Sequence, residues 1–200
     1  ALTAAVLLSC ACLMAPYYAH AEEIRTIGGN DQTITVTIPI TEDSTSGTGL
    51  SLTGNKNNIT IDADITSSGA KGIGLLVDSG SENNITLNTG KTIQALGEEG
   101  IAVLFGSNVA ASGTQSSAAL LEIVPGKNFN VYGSLKGTKA AIYISENAEF
   151  DNINILSGAS IEGAIIHKGS YPTNLTFGGK YPKEQSSDIP YVDVDSSFNL

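Results

Sequence analysis

Asn58-Ile59-Thr60-Ile61 returns as Asn84-Ile85-Thr86-Leu87, Asn128-Phe129-Asn130-Val131, Asn152-Ile153-Asn154-Ile155 and Asn174-Leu175-Thr176-Phe177. A looser copy, Thr33-Ile34-Thr35-Val36, comes before them, and Ser197-Phe198-Asn199-Leu200 comes after. The starts fall 25, 26, 44, 24, 22 and 23 residues apart. Self-similarity at this period is the mark of a repeat architecture. Within each copy apolar and small polar residues alternate, which is strand periodicity.

Two further apolar points recur in each period. The first is a single residue: Ile65, Ile93, Leu135 or Ile161. The second is a Gly- or Ala-led run: Gly47–Leu52, Gly72–Val77, Gly100–Phe105, Ala140–Ile144 and Gly163–Ile166. Three short strands per period, separated by turn residues, describe one coil of a parallel β-helix with 22–26 residues per coil. One coil cannot bury its own apolar face, so stacking is obligatory: Ile59 lies over Ile85, and each strand bonds to its counterpart one coil away. Ile61, Leu87, Val131, Ile155 and Phe177 then form one inward column. Seven starts at about 4.8 Å per coil make a rod of roughly 30 Å. The Asn at five starts has two readings, both physical. Asn tolerates the left-handed conformation of a sharp turn, and stacked Asn side chains hydrogen-bond along a ladder. The glycosylation sequons at Asn58, Asn84 and Asn174 are explained by the repeat itself.

Residues 1–21 read as a secretory signal peptide, with an apolar run over Ala1–Leu13 and the cleavage pattern Ala19-His20-Ala21. A lipoprotein signal using Cys10 or Cys12 is the alternative, and it leaves Ala19–Ala21 unexplained. Both cysteines fall in this segment, so the exported chain would rely on its core and ladders without disulfides. All 10 Lys and Arg and all 20 Asp and Glu lie after it, giving a net charge of −10 that argues against nucleic acid and anionic membranes as partners. With no Trp and 22 Gly, the composition suits narrow coils with tight turns.

Residues 22–31 are expected to be a lead-in or cap, because an uncovered first coil is an open sheet edge. The β-helix then fills 32–200. Its last coil begins at Ser197 without being completed, which predicts that it continues. Two stretches break the period. Residues 106–117 are Ser/Ala/Gly-rich and fall inside the 44-residue step, which holds either one coil with a projecting loop, the preferred reading, or two coils. Residues 178–192 form the second loop, in a region carrying Tyr171, Tyr181 and Tyr191 with three prolines.

Such a chain resembles the passenger region of Gram-negative autotransporters: a signal peptide, then a cysteine-free, acidic, Gly/Asn/Thr/Ser-rich chain of Asn-Φ-Thr-Φ and Gly-x-Gly-Φ-Φ coils. The resemblance covers Glu22 to Leu200 and is one of pattern. It implies a right-handed parallel β-helix, export to the cell surface, a C-terminal outer-membrane translocator barrel in the same polypeptide, and a monomer. The function it implies is an adhesin-like or structural stalk meeting a host-surface protein or glycan.

Catalytic signatures are not legible. Gly-x-Ser-x-Gly, His-Glu-x-x-His and Walker patterns do not occur. After residue 21 there is one histidine, His167, for any triad or zinc site. No cofactor or metal is expected. The carboxylate pairs Asp62/Asp64 and Asp193/Asp195 lie at i, i+2, a spacing that serves Ca²⁺ or the acidic cluster of a polysaccharide-active β-helix enzyme. Lyase or glycosidase activity is therefore the alternative function, with an inert scaffold for activity located elsewhere as a third. Loops on a rigid scaffold are where contacts concentrate, and tyrosine favours hot spots. This makes Tyr171, Tyr181 and Tyr191 the expected partner-binding residues.

Overall fold

The computed structural model describes residues 25–78, 82–106, 124–146, 148–169, 172–178 and 192–194. Every regular element among them is a strand. A partial coil begins with β1 (Thr26–Ile27). The first full coil holds β2 (Thr33–Val36), β3 (Ile40–Glu42) and β4 (Thr48–Leu52). The second holds β5 (Asn58–Ile61), β6 (Ile65–Ser67) and β7 (Ile73–Val77). The third holds β8 (Asn84–Leu87), β9 (Thr92–Ala95) and β10 (Ile101–Phe105). Thereafter the second and third strands merge: β11 (Val124–Val131) is followed by β12 (Ser134–Ile144), and β13 (Ala148–Ile155) by β14 (Ser160–His167). β15 (Asn174–Phe177) and β16 (Val192–Val194) complete the set.

These strands build a parallel β-solenoid with three walls. Wall I stacks β2, β5, β8, β11, β13 and β15. Wall II stacks β3, β6, β9 and the first parts of β12 and β14. Wall III stacks β1, β4, β7, β10 and the later parts of β12 and β14. Because β12 runs through the corner unbroken, walls II and III join in one nine-stranded sheet. The expected register holds, with Ile59 on Ile85 and Ile65 on Ile93, and Leu135 pairs with both Ile93 and Ile161. Wall I spans about 24 Å at the usual strand spacing.

The 44-residue step is one coil: Asn128 pairs directly with Asn84, and Ile101 with Ala140, so no further coil lies between.

The core is one continuous column of apolar side chains facing the axis. Ile61, Leu87 and Val131 are fully buried and Ile155 nearly so. Burying a residue of this size is worth about 1.5–3 kcal/mol. Phe177, expected in the same column, is 38 % exposed. Its register is as predicted, on Ile155, but on its other side the described neighbour is β16, antiparallel to β15, instead of another parallel coil. Val192, at the end of the stretch expected to be mainly loop, thus belongs to a strand. Within the expected lead-in, Thr26–Ile27 pairs in wall III with Ser51–Leu52 and Ile27 is buried in the core.

Turn conformations fall elsewhere than expected. The Asn starts are strand residues. Among the described residues the non-glycine left-handed positions are Asp31, Lys56 and Glu82 before wall I, and Ser46, Lys71 and Glu99 before wall III. Glycine is required instead at the corner between walls II and III. A Cβ on Gly69 would strike the carbonyl oxygen of Ser44, and one on Gly97 the carbonyl of Gly69, so consecutive coils touch there backbone to backbone.

At the first coil, Arg25 donates to the Glu42 carboxylate and, at 2.9 Å, to the carbonyl of Thr41. The Ser44 hydroxyl and N–H also donate to Glu42. These Ser44 hydrogen bonds, and then the Arg25 charge, hold the Glu42 carboxyl below its usual range. A lowered native pKa stabilises above the unfolded value of about 4.3 and is lost as pH falls through the native one. The Glu42→Gln variant should therefore show a flatter loss of melting temperature below about pH 4.3 than the parent chain. Identical acid limbs for the two chains would show that the contact carries no linkage.

Candidate functional site

The outward side of wall I is the most regular surface among the described residues. Its first column runs Thr33, Asn58, Asn84, Asn128, Asn152, Asn174, and its second Thr35, Thr60, Thr86, Asn130, Asn154, Thr176. Strand pleating puts both columns on one side. The amides point one way along the rod. Asn84 donates to the Asn58 carbonyl at 3.4 Å, Asn152 to Asn128 at 3.1 Å, Asn174 to Asn152 at 3.0 Å and Asn154 to Asn130 at 2.8 Å. The expected asparagine ladder is therefore present, and all three sequon asparagines are members of it. A primary amide carries two N–H donors and two acceptor lone pairs. Two donors and two lone pairs per amide exceed the one link on each side of a rung, and of these ladder asparagines only Asn130 is buried.

A second, inner ladder was missed in the sequence. Asn57 and Asn83 are buried. The Asn83 carbonyl accepts the N–H of Asn57 at 2.9 Å, and the Asn57 carbonyl accepts the N–H of Gln32 at 2.9 Å. Their amide groups donate back to the carbonyls of Gly54 and Gly29, at 2.8 and 2.7 Å. Each side chain thus replaces the pairing that the turn denies its backbone. The signal was the doubled Asn57-Asn58 and Asn83-Asn84.

The sequence-predicted sites fare unequally. Asp62 and Asp64 flank buried Ala63 and both tie to the next coil. Asp62 accepts from the Asn88 amide at 3.2 Å and lies 3.8 Å from the Lys91 ammonium. Asp64 accepts the Thr92 N–H at 2.8 Å. Among the described residues no group of three or more His, Cys, Asp or Glu side chains is gathered in metal-binding reach. Asp193 sits on β16, and Asp195 lies outside the described residues. His167 closes β14, with its Nε2 3.1 Å from the Thr173 hydroxyl.

Tyr171, Tyr181 and Tyr191 all lie outside the described residues, as do residues 107–117 and the signal-peptide segment 1–21. Only their anchors are placed. Phe177 pairs with Val192, so the stretch carrying Tyr181 and Tyr191 leaves and re-enters at one rung, whereas Tyr171 belongs to the separate link between β14 and β15.

Wall II is polar outward as well. Gln94 donates to the Thr66 hydroxyl at 3.0 Å, and Lys136 pairs with Glu162 at 2.7 Å. Wall III differs, with Ile73, Leu76, Ile101 and Leu104 forming a second apolar cluster apart from the core.

Comparison with family models, curated proteins and solved structures finds no match to this chain.

Proposed function

We propose that this chain is the β-helical passenger of an autotransporter-type surface protein, exported by its N-terminal segment and acting as an adhesin-like or structural stalk. The observation that carries the reading is the coil stack: five successive parallel pairings along wall I around a single core, with an outward wall of ladder-bonded Asn and Thr. Such a rod holds its shape over its length, and its outer amides and hydroxyls suit hydrogen bonding to a host-surface glycan or protein. The polysaccharide-active alternative gains no support from Asp62 and Asp64, whose carboxylates serve coil-to-coil contacts.

The test has two parts. In cells carrying the complete reading frame, surface proteolysis should release the passenger; a chain retained inside the cell would sink the export reading. Replacing Tyr171, Tyr181 and Tyr191 together with Ala should lower binding to cells or glycans. Stability should change by no more than about 1–2 kcal/mol, because segments outside the ladders contribute few core contacts. Unchanged binding would remove the tyrosines from the site, and an unfolded rod would make them packing residues.

A further inference from the structure

The first rung departs from the columns beneath it. In wall III one inward column runs Leu50, Leu75 and Val103, all buried. β1 lies over β4 with Thr26 on Ser51 and Ile27 on Leu52, so Arg25 falls opposite Leu50, and its carbonyl accepts the Ser51 N–H at 2.9 Å. Thr26 is exposed and Ile27 buried, so alternation turns Arg25 toward the axis. In wall II an inward column runs Glu42, Ser67 and Ala95, the last two fully buried. At both positions the end rung carries a charge where later coils carry an apolar or small residue. The two charges meet, with a guanidinium nitrogen of Arg25 2.5 Å from the Glu42 carboxylate. The other terminal nitrogen donates at 2.9 Å to the Thr41 carbonyl. The Ile40 N–H and the Glu42 carbonyl bond to β6 and its flank, so the backbone groups of Thr41 face the outer edge of β3. One side chain thus spans the ends of walls III and II.

We propose that Arg25 and Glu42 form a charged clasp that closes the β1 end of the core and holds β1 on the rod, and that this clasp opens in acid while the later coils stay closed. A solenoid buries its columns coil against coil, so its end coil needs a polar cover, and inward charges blunt an edge strand. β1 itself has only two paired residues, and the Arg25 contacts add a tie to wall II. The guanidinium keeps its charge at every pH, so Glu42 is the member of the pair that titrates. Among the described residues Arg25 is the cation within salt-bridge reach of Glu42, and Lys71 in the coil below lies 4.0 Å from Glu99 instead. β6 sets uncharged Thr66 and Ser67 beneath β3, and β4 begins with uncharged Thr48. The turn after Glu42 brings Asp43 and Ser44, whose hydroxyl and N–H donate to the same carboxylate. The attraction is complete above the unfolded value of about 4.3 and is lost as pH falls through the lowered native one.

Amide exchange followed by NMR tests this in the whole chain. The Ser51 and Thr53 N–H groups bond to the carbonyls of Arg25 and Ile27, so their protection reports on β1. Ile101, bonded to the Gly72 carbonyl, reports on the third coil. At neutral pH Glu42→Gln and Arg25→Gln should each lower protection at Ser51 and Thr53 by about threefold relative to Ile101. The double variant should fall no further than the deeper single one, because both changes remove one contact. The parent chain should show the same local loss between about pH 6 and pH 3, and Glu42→Gln should not. Full protection in both single variants would show that β1 holds without the pair and overturn the proposal. Additive losses in the double variant, an equal pH response in the parent and Glu42→Gln chains, or a loss at Ile101 matching that at Ser51 would overturn it as well.

Discussion

Leu87→Asp should lower the stability of the rod by about 4 kcal/mol or more, among the larger single-site effects. Leu87 is completely buried and stacks between Ile61 and Val131 at the centre of the wall I column. Its immediate surroundings in that column are hydrocarbon, so an aspartate there would meet neither a cation nor water. It would either stay charged at high cost or take up a proton and leave a carboxylic acid unpaired. In a chain of this size the loss corresponds to a fall in melting temperature of roughly 8–16 °C. The neighbouring Thr86→Asp supplies the contrast. Thr86 faces outward in the same strand, and its replacement should cost about 1 kcal/mol or less. Equal melts for Leu87→Asp and the parent chain would refute the stacked register, because a one-residue slip exchanges the two positions.

The second large effect is expected at Phe105. Its ring lies 4.2 Å from that of Phe150, tilted by 39°, and 5.6 Å from that of Phe129 in an edge-on arrangement. All three are buried. They come from three coils and two walls, so the cluster joins the regular N-terminal coils to those after the insertion. Phe105→Ala removes a ring from a site the ladders prevent from collapsing, and should cost about 3–5 kcal/mol. Chemical denaturation should show a lower midpoint with an unchanged slope. A double-mutant cycle with Phe150→Ala should return a coupling of about 0.5–1.5 kcal/mol. A loss below about 1 kcal/mol for the single variant would mean that the rings are not packed as described.

The polar contributions are smaller singly and are distributed along the rod. From β5 to β15 each rung of wall I adds at least one amide link to the backbone pairing. The buried Asn57 and Asn83 satisfy turn groups that would otherwise lose water without compensation. Among the described residues no buried side-chain polar atom is left without a partner. The acidic pairs that drew attention as possible chemistry belong to this same accounting. Asp62 and Asp64 cap the corner between walls I and II by accepting from the coil above.

Much of this was present in the sequence because a solenoid repeats its own local rules. The recurrence of Asn-Φ-Thr-Φ, the single apolar point and the Gly- or Ala-led run specified three walls, the inward columns and the pairing of Ile59 with Ile85. Each depends only on side-chain alternation and on the need of each coil for a neighbour. The asparagine ladder followed from the same period. What the sequence left open was whatever depends on contacts between distant segments. The 44-residue step became one coil only through the pairing of Asn128 with Asn84. The exposure of Phe177 was decided by the antiparallel β16, since a column position is inward only while coils continue on both sides. Left-handed backbone at Asp31, Lys56 and Glu82, with Asn57 and Asn83 turned inward beside it, was set by turn closure against the preceding coil, which no local propensity encodes. The outward apolar residues of wall III read in the sequence simply as a strand buried on both faces, and only the assembled sheet shows that they stand outside the core.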